Sequence, residues 1–118
     1  MKVLLIGGSG QLGKSLLGLS SSNAIELISP TSKVLNVSNF QSVSDFINEV
    51  EPECIINAYA WTDVQGAERD ISGAMTLNAT AVEHLTQICK RIGASLVHIS
   101  TDYVFDGEKG APYLENDP

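Results

Sequence analysis

The stretch Lys2-Val3-Leu4-Leu5-Ile6-Gly7-Gly8-Ser9-Gly10-Gln11-Leu12-Gly13 decides how the rest of the chain is read. An apolar run of strand length stops at the first glycines, and Leu12, Leu16, Leu17 and Leu19 then recur at helical spacing. Strand, glycine turn and helix in that order are the context that gives a glycine motif chemical meaning. Gly7 permits the tight turn, Gly10 lets backbone approach a pyrophosphate, and Gly13 lets helix and sheet pack closely. The helix start offers unbonded N–H groups and the positive end of a dipole, so an anion belongs there. The alternative is a set of glycines that only turns a strand into a helix.

Working outward, strand-length apolar runs alternate with helical periodicity in the order β-α-β-β-α-β-α-β. That alternation calls for a parallel sheet with helices on both faces. Strands are expected at residues 2–6, 25–29, 33–37, 54–58 and 95–100, all rich in Val, Ile and Leu as a doubly covered sheet requires. Ser38 and Gln41 have the spacing of a capping box, followed by a stripe of Phe40, Val43, Phe46, Ile47 and Val50 that Pro52 closes. A longer helix is expected from Ile71 to Ile92, with Asp70 as N-cap and Gly93 as its stop. From Tyr103 to Pro118 periodicity is lost, and the chain makes an excursion above the sheet. The expected fold is α/β: a Rossmann-like, doubly wound parallel sheet, its first five strands in three α/β/α layers.

With 118 residues, 43% of them hydrophobic, the chain makes one domain over residues 1–118. A net charge of −7 argues against nucleic acid or an anionic membrane as partner, so a bound phosphate must be held locally by backbone N–H groups. The opening apolar run is too short for a signal peptide, and no stretch approaches a membrane span, so a soluble, cytoplasmic protein is expected. Cys54, in a predicted strand, and Cys89, in a predicted helix, fit neither a disulfide framework nor a zinc site. They are expected to be buried free thiols, and no metal site is expected.

In a doubly wound sheet, ligands lie beyond the carboxyl ends of the strands. After the second strand an acidic residue would bind the adenine-ribose hydroxyls of NAD and repel a 2′-phosphate. Ser29-Pro30-Thr31-Ser32-Lys33 supplies hydroxyls and one cation instead, which permits NADP. Asn57-Ala58-Tyr59-Ala60-Trp61-Thr62 follows a later strand, with Ala58 and Ala60 small enough for a cofactor to lie against backbone. Tyr59, Trp61 and Thr62 either border nicotinamide and substrate or cap the core. Projected at 100° per residue, Asn78 falls within the stripe of Ala74, Ala81, Leu85 and Ile88, where a buried amide needs partners. It serves either as a tie to a neighbouring loop or in the site itself. His84 points away into solvent, and His98 is a satisfied core histidine rather than a base.

Ser100-Thr101-Asp102-Tyr103-Val104-Phe105-Asp106-Gly107 leaves the last strand where a hydroxyl can meet a carbonyl, and Pro112-Tyr113-Leu114-Glu115 continues it. This segment resembles the signature of the dTDP-4-dehydrorhamnose reductases. Residues 57–62 and Ala67-Glu68 resemble that family's upstream stretch, and the spacing Gly-x-x-Gly-x-x-Gly is similar to that of the extended short-chain dehydrogenases. The resemblance implies NAD(P)H-dependent reduction of the 4-keto group of a nucleotide-linked deoxysugar, using NADP(H) or NAD(H). It makes Thr101 the hydroxyl that polarises the keto group. Gly7, Gly10, Gln11, Leu12, Gly13, Asn36, Val37, Ala58, Tyr59, Ala60, Asn78 and Ser100 fall at cofactor positions. Thr62, Val64, Asp102 and Tyr103 fall at substrate positions, Tyr103 as a wall of the site rather than its acid.

Departures from the family's pattern are Asn36 for Asp, and Gln65-Gly66 for Asp-Lys. The family's proton donor is the Tyr of a Tyr-x-x-x-Lys pair, yet Asp63, Gly107 and Asp117 stand four residues after Tyr59, Tyr103 and Tyr113. The pair is expected after Pro118, with the later strands and the substrate-binding region, and the 118 residues alone are expected to be inactive. A homodimer of the full-length protein is compatible with the resemblance. Two rivals remain at this stage. One is a non-catalytic nucleotide-binding subunit resembling the regulatory β subunit of methionine adenosyltransferase. The other is a stand-alone binding module, against which an exposed sheet edge after the last strand argues.

Overall fold

The computed structural model describes residues 1–19 and 24–117; Pro118, the last residue of the expected domain, lies outside them. Four parallel strands, β1 (Lys2–Ile6), β2 (Glu26–Ile28), β3 (Cys54–Asn57) and β4 (Ser95–His98), form one sheet in the order β2-β1-β3-β4. The strand order reverses direction at β1, as in a doubly wound fold, so the carboxyl end of β1 is the place to look for a ligand. The helices are α1 (Gln11–Leu19), α2 (Phe40–Val50), α3 (Val64–Arg69), α4 (Ile71–Met75) and α5 (Ala81–Ile92). Among the described residues no helix is long and apolar enough to cross a membrane, and no cluster of His, Cys, Asp or Glu could hold a metal.

Register explains the core. Leu4 lies beside Ile55, and Ile55 beside Leu96, so the three share one face of the sheet. On that face Leu4, Ile6 and Ile55 cluster with Val43 and Ile47 of α2 and Leu85, Ile88 and Cys89 of α5. Val3 and Leu5 point to the other face and are also buried, which is why β1 reads as an unbroken apolar run. Among the described residues β4 pairs only with β3, and Val97 in it and Ile99 just after it are 46% and 48% exposed.

The strand expected at residues 33–37 does not form, leaving four strands among the described residues where five were expected. The N–H groups of Val34 and Leu35 both donate to the Thr31 carbonyl at 2.9 Å, and the Asn36 side chain accepts from Ser38 N–H at 3.0 Å. Backbone donors that would build a ladder are engaged in turns. Leu35 and Val37 still point alternately into the core, so the segment has the burial pattern of a strand without its pairing.

The capping box is also displaced. Asn39, not Ser38, caps α2 by accepting from Ser42 N–H at 3.0 Å, while Gln41 turns outward to Asp45. The Asn one residue closer to the helix takes the cap, and Ser38 N–H, which a capping box would give to Gln41, is held by Asn36 instead.

The long helix keeps its ends as expected: Asp70 accepts from Gly73 N–H, and Gly93 stops it at φ +75°. Its middle does not stay regular, because Thr76–Thr80 is a π-helical turn between α4 and α5. The wider turn breaks the 100° phase on which Asn78 was projected into the apolar stripe, and Asn78 is exposed. Further along, Ala81, Leu85 and Ile88 are buried as expected. His84 is not solvated. Its ring stacks on Phe40 at 4.9 Å, and Nε2 lies 3.0 Å from the Phe40 carbonyl and 3.1 Å from Ser44 Oγ, tying α5 to α2.

Both cysteines are free, but only Cys89 is fully buried; Cys54, on the edge-proximal strand, is half-buried. Burial, and then the neighbouring Cys54, push the Cys89 thiol above its ordinary value.

Candidate functional site

The glycine turn is shaped by backbone contacts that side chains would block. Gly7 has φ +90°, and a Cβ there would sit 2.7 Å from Ala58 C and Tyr59 N, because the chain leaving β3 passes directly over it. A Cβ on Gly13 would lie 2.2 Å from the Gly7 carbonyl oxygen and 2.6 Å from Gly8 Cα. Helix α1 therefore starts against the turn itself. Gly8, which the sequence did not single out, is buried with Ser29 Oγ in the place of its missing Cβ, at 2.1 Å. Gly10 is different: its Cβ would meet only the Gly7 oxygen at an ordinary 3.4 Å, so no protein neighbour demands a glycine there. The first N–H groups of α1, on Gln11 and Leu12, lie at its start, where a helix leaves donors without intrahelical partners and presents the positive end of its dipole.

A cleft opens beside this turn. It is lined by Gly7, Gly8 and Ser9 of the turn, by Pro30, Ser32 and Asn36 of the segment after β2, and by Tyr59 after β3. No carboxylate lines it. Val37 contributes to the wall while its bulk belongs to the core. Thus Gly7, Asn36, Val37 and Tyr59 are brought together by three different loops. The irregular segment after Thr31 serves the cleft better than a strand would, since its turns carry Asn36 over the carboxyl end of β1.

The remaining expected positions lie farther along the same end of the sheet. The Asn78 amide makes two bonds to one residue: Oδ1 accepts from Trp61 N–H at 2.7 Å and Nδ2 donates to the Trp61 carbonyl at 3.0 Å. Asn78 is therefore a tie between the π turn and the loop after β3. Trp61 Nε1 donates to the Asp63 carbonyl at 2.8 Å, and Asp63 caps α3 through Gly66 N–H. Ala60 and Thr62 are exposed on that loop, as are Val64 at the start of α3 and Ser100 after β4. Thr101 is exposed and caps a short 3-10 turn (Asp102–Val104), accepting from Tyr103 N–H at 3.2 Å and donating to Asp102 Oδ1 at 3.3 Å. Asp102 and Tyr103 are exposed, the latter by 88%.

The excursion beyond is organised around Tyr113. Its hydroxyl donates to Asp106 Oδ1 at 2.6 Å and accepts from Lys109 N–H at 3.1 Å, and its ring stacks on Phe105 at 4.3 Å. Lys109 Nζ pairs with Asp117, whose Oδ2 also accepts Leu114 N–H at 2.8 Å. The Tyr113 hydroxyl, followed by Glu108 N–H, holds the Asp106 carboxyl below its ordinary value; the Lys109 ammonium, followed by Leu114 N–H, does the same for Asp117. Sequence spacing missed this Lys-Tyr neighbourhood because the lysine precedes the tyrosine. The Tyr113 proton is bound to a carboxylate, so this pair is a structural clasp rather than an acid waiting for a substrate.

Comparison with known proteins places these features in company. The family model for the RmlD substrate binding domain matches residues 1–118. A dTDP-4-dehydrorhamnose reductase of Aggregatibacter actinomycetemcomitans is 38% identical over 117 residues, spanning 98% of this chain and 40% of the relative. The crystal structure of a dTDP-4-dehydrorhamnose reductase from Clostridium acetobutylicum superposes with a TM-score of 0.90 at 36% identity, over 100% of this chain and 42% of that one. A reductase of the same name from Bacillus anthracis, solved in complex with NADP, gives 0.85 at 33% identity, over 92% of this chain and 39% of that one. The chain thus spans about two fifths of the length of the relatives it matches.

Proposed function

Because the chain belongs to the RmlD substrate binding domain family, we propose that it is the cofactor-holding portion of an NAD(P)H-dependent reductase that converts dTDP-4-dehydrorhamnose to dTDP-rhamnose. The observation that carries the reading is the glycine turn at the carboxyl end of β1. Gly7 and Gly13 are required by backbone contacts, whereas Gly10 has no protein neighbour that explains it. A pyrophosphate lying on the N–H groups of Gln11 and Leu12 supplies the missing reason, since a side chain at residue 10 would stand in its path. The adenosine half would lie in the cleft between Ser9 and Asn36, with Asn36 able to hydrogen-bond the adenine amino group. With no carboxylate in that cleft, a 2′-phosphate is tolerated, and NADPH serves at least as well as NADH.

When bound, the reduced nicotinamide supplies the hydride, while the protein contributes orientation and electrostatics. Thr101 would turn its hydroxyl from Asp102 toward the substrate carbonyl, with Thr62, Val64, Asp102 and Tyr103 beside the sugar nucleotide. The Tyr-x-x-x-Lys pair is not within residues 1–118, so this stretch holds cofactor without completing the chemistry. The relatives reported above carry the reductase name, which favours this reading over a regulatory subunit.

The test is a calorimetric titration of the protein at its natural length with NADPH and with NADH. Gly10→Asp, which adds a negative charge where the pyrophosphate lies, should abolish binding of both. Undiminished affinity in a folded Gly10→Asp protein refutes the site, and a strong preference for NADH refutes the reading of the ribose end.

A further inference from the structure

Asn57, 3% exposed, is the buried polar side chain recorded among the described residues, and it stands at the carboxyl end of β3. Its Oδ1 accepts the Tyr59 backbone N–H at 3.2 Å, and its Nδ2 faces His98 Nδ1 at 3.2 Å across the β3–β4 ladder. The polarity of this chain is forced. A backbone N–H only donates, so the amide must present oxygen to Tyr59, which leaves the NH2 group facing the imidazole. An NH2 group only donates, so Nδ1 must carry a lone pair and the ring proton must sit on Nε2. A proton on Nδ1 would make the amide flip and leave two donors facing each other at Tyr59, with the buried Asn57 amide unable to satisfy both.

The Tyr59 peptide is also what Gly7 packs against: Tyr59 N lies 2.7 Å from where a Gly7 Cβ would be. Tyr59 also lines the cleft. Any tilt of that peptide is transmitted to the first glycine of the turn.

We propose that His98 is a positioning residue for the nucleotide: its Nδ1 lone pair orients the Asn57 amide, which holds the Tyr59 peptide against Gly7. This rests on the reading of the cleft as the NADPH site. His98 touches neither cofactor nor substrate and acts entirely through Asn57.

The experiment uses the protein at its natural length. Nitrogen NMR of 15N-histidine-labelled protein at neutral pH should show His98 with Nδ1 unprotonated and Nε2 protonated; a proton on Nδ1 overturns the proposal. Asn57→Asp keeps an acceptor for Tyr59 but presents oxygen to the ring, so it should move a proton onto Nδ1, and an unmoved proton overturns the relay. His98→Phe should raise the NADPH dissociation constant about fivefold, as loss of one buried hydrogen bond does. His98→Asn, whose Oδ1 can stand where Nδ1 stands, should return it to within about twofold of wild type. Unchanged affinity in His98→Phe, or no rescue by His98→Asn, refutes the positioning role. Should His98→Phe not fold, the ring-nitrogen signals of wild type and Asn57→Asp still judge the relay. Wild-type protein that fails to bind NADPH overturns the cleft reading and this proposal with it, while the NMR result tells whether the hydrogen-bond chain itself exists.

Discussion

Two glycines on the same helix should respond to alanine with opposite signs. Gly13 and Gly18 both lie in α1, and replacing a helical glycine by alanine ordinarily gains about 1 kcal/mol in propensity. Around Gly18 no heavy atom lies within 4 Å of a new Cβ, so Gly18→Ala should show that gain nearly undiluted, at about 0.5–1 kcal/mol. At Gly13 the new carbon would fall 2.2 Å from the Gly7 oxygen, 2.6 Å from Gly8 Cα and 2.8 Å from Gly8 C. All three are backbone atoms, so no rotamer relieves them. The start of α1 must lift from the turn by about an ångström to restore ordinary contact. Overpacking of that kind costs about 1–3 kcal/mol and more where backbone must move. After the propensity gain, Gly13→Ala should be destabilised by about 1–2 kcal/mol, some 1.5–3 kcal/mol below Gly18→Ala. Urea unfolding followed by the fluorescence of the single tryptophan, Trp61, measures both variants against wild type. A Gly13→Ala midpoint at or above wild type, with an unchanged slope, would falsify the argument that α1 is seated on the glycine turn.

Two further outcomes follow from the other end of the site. In the protein at natural length, Thr101→Val should lower turnover about 10²–10³-fold through loss of one donor to the developing oxyanion. Thr101→Ser should retain most of it, and near-normal turnover in the valine variant would reduce Thr101 to a cap of the 3-10 turn. The clasp around Tyr113 should loosen in acid. Asp106 and Asp117 are both held below their ordinary value, so their contribution is complete above the normal aspartate range and is lost as pH falls through the lowered values. Amide NMR of Glu108 and Leu114, which donate to these carboxylates, should report that loss at a pH below the aspartate value of 3.8, and a transition above it would contradict the assignment.

What could be read from the residues alone were features whose cause is local. A strand, a glycine turn and a leucine-bearing helix declare themselves because φ +90° at Gly7 and the seat of Gly13 leave no room for side chains there. Asp70 and Gly93 mark helix ends by chemistry that lies within one turn of them. Residues 33–37 misled for an equally physical reason. Alternating burial of Leu35 and Val37 is what a half-covered strand shows, but pairing depends on whether N–H groups are free, and Thr31 had already engaged two of them.

Features set by register between distant segments left no periodic trace. Asn57 and His98 meet because Ile55 pairs with Leu96, which brings residues 57 and 98 side by side two positions later. Nothing in either strand's own pattern announces the pair. His98 was legible as a satisfied histidine, although it is half-buried rather than in the core; its partner was not legible, and the partner is what gives it a direction. The π turn acted in the opposite sense, removing Asn78 from an interior that helical phase had assigned to it and delivering it to Trp61. Both amides end up holding the one loop that leaves β3, Asn57 at Tyr59 and Asn78 at Trp61. A loop that must lie against Gly7 without a strand partner of its own has its peptides fixed by side chains instead, from β3 below and from the long helix beside it. On the proposed reading of the cleft as a nucleotide site, its precision depends on Asn57, His98 and Asn78, none of which lines it.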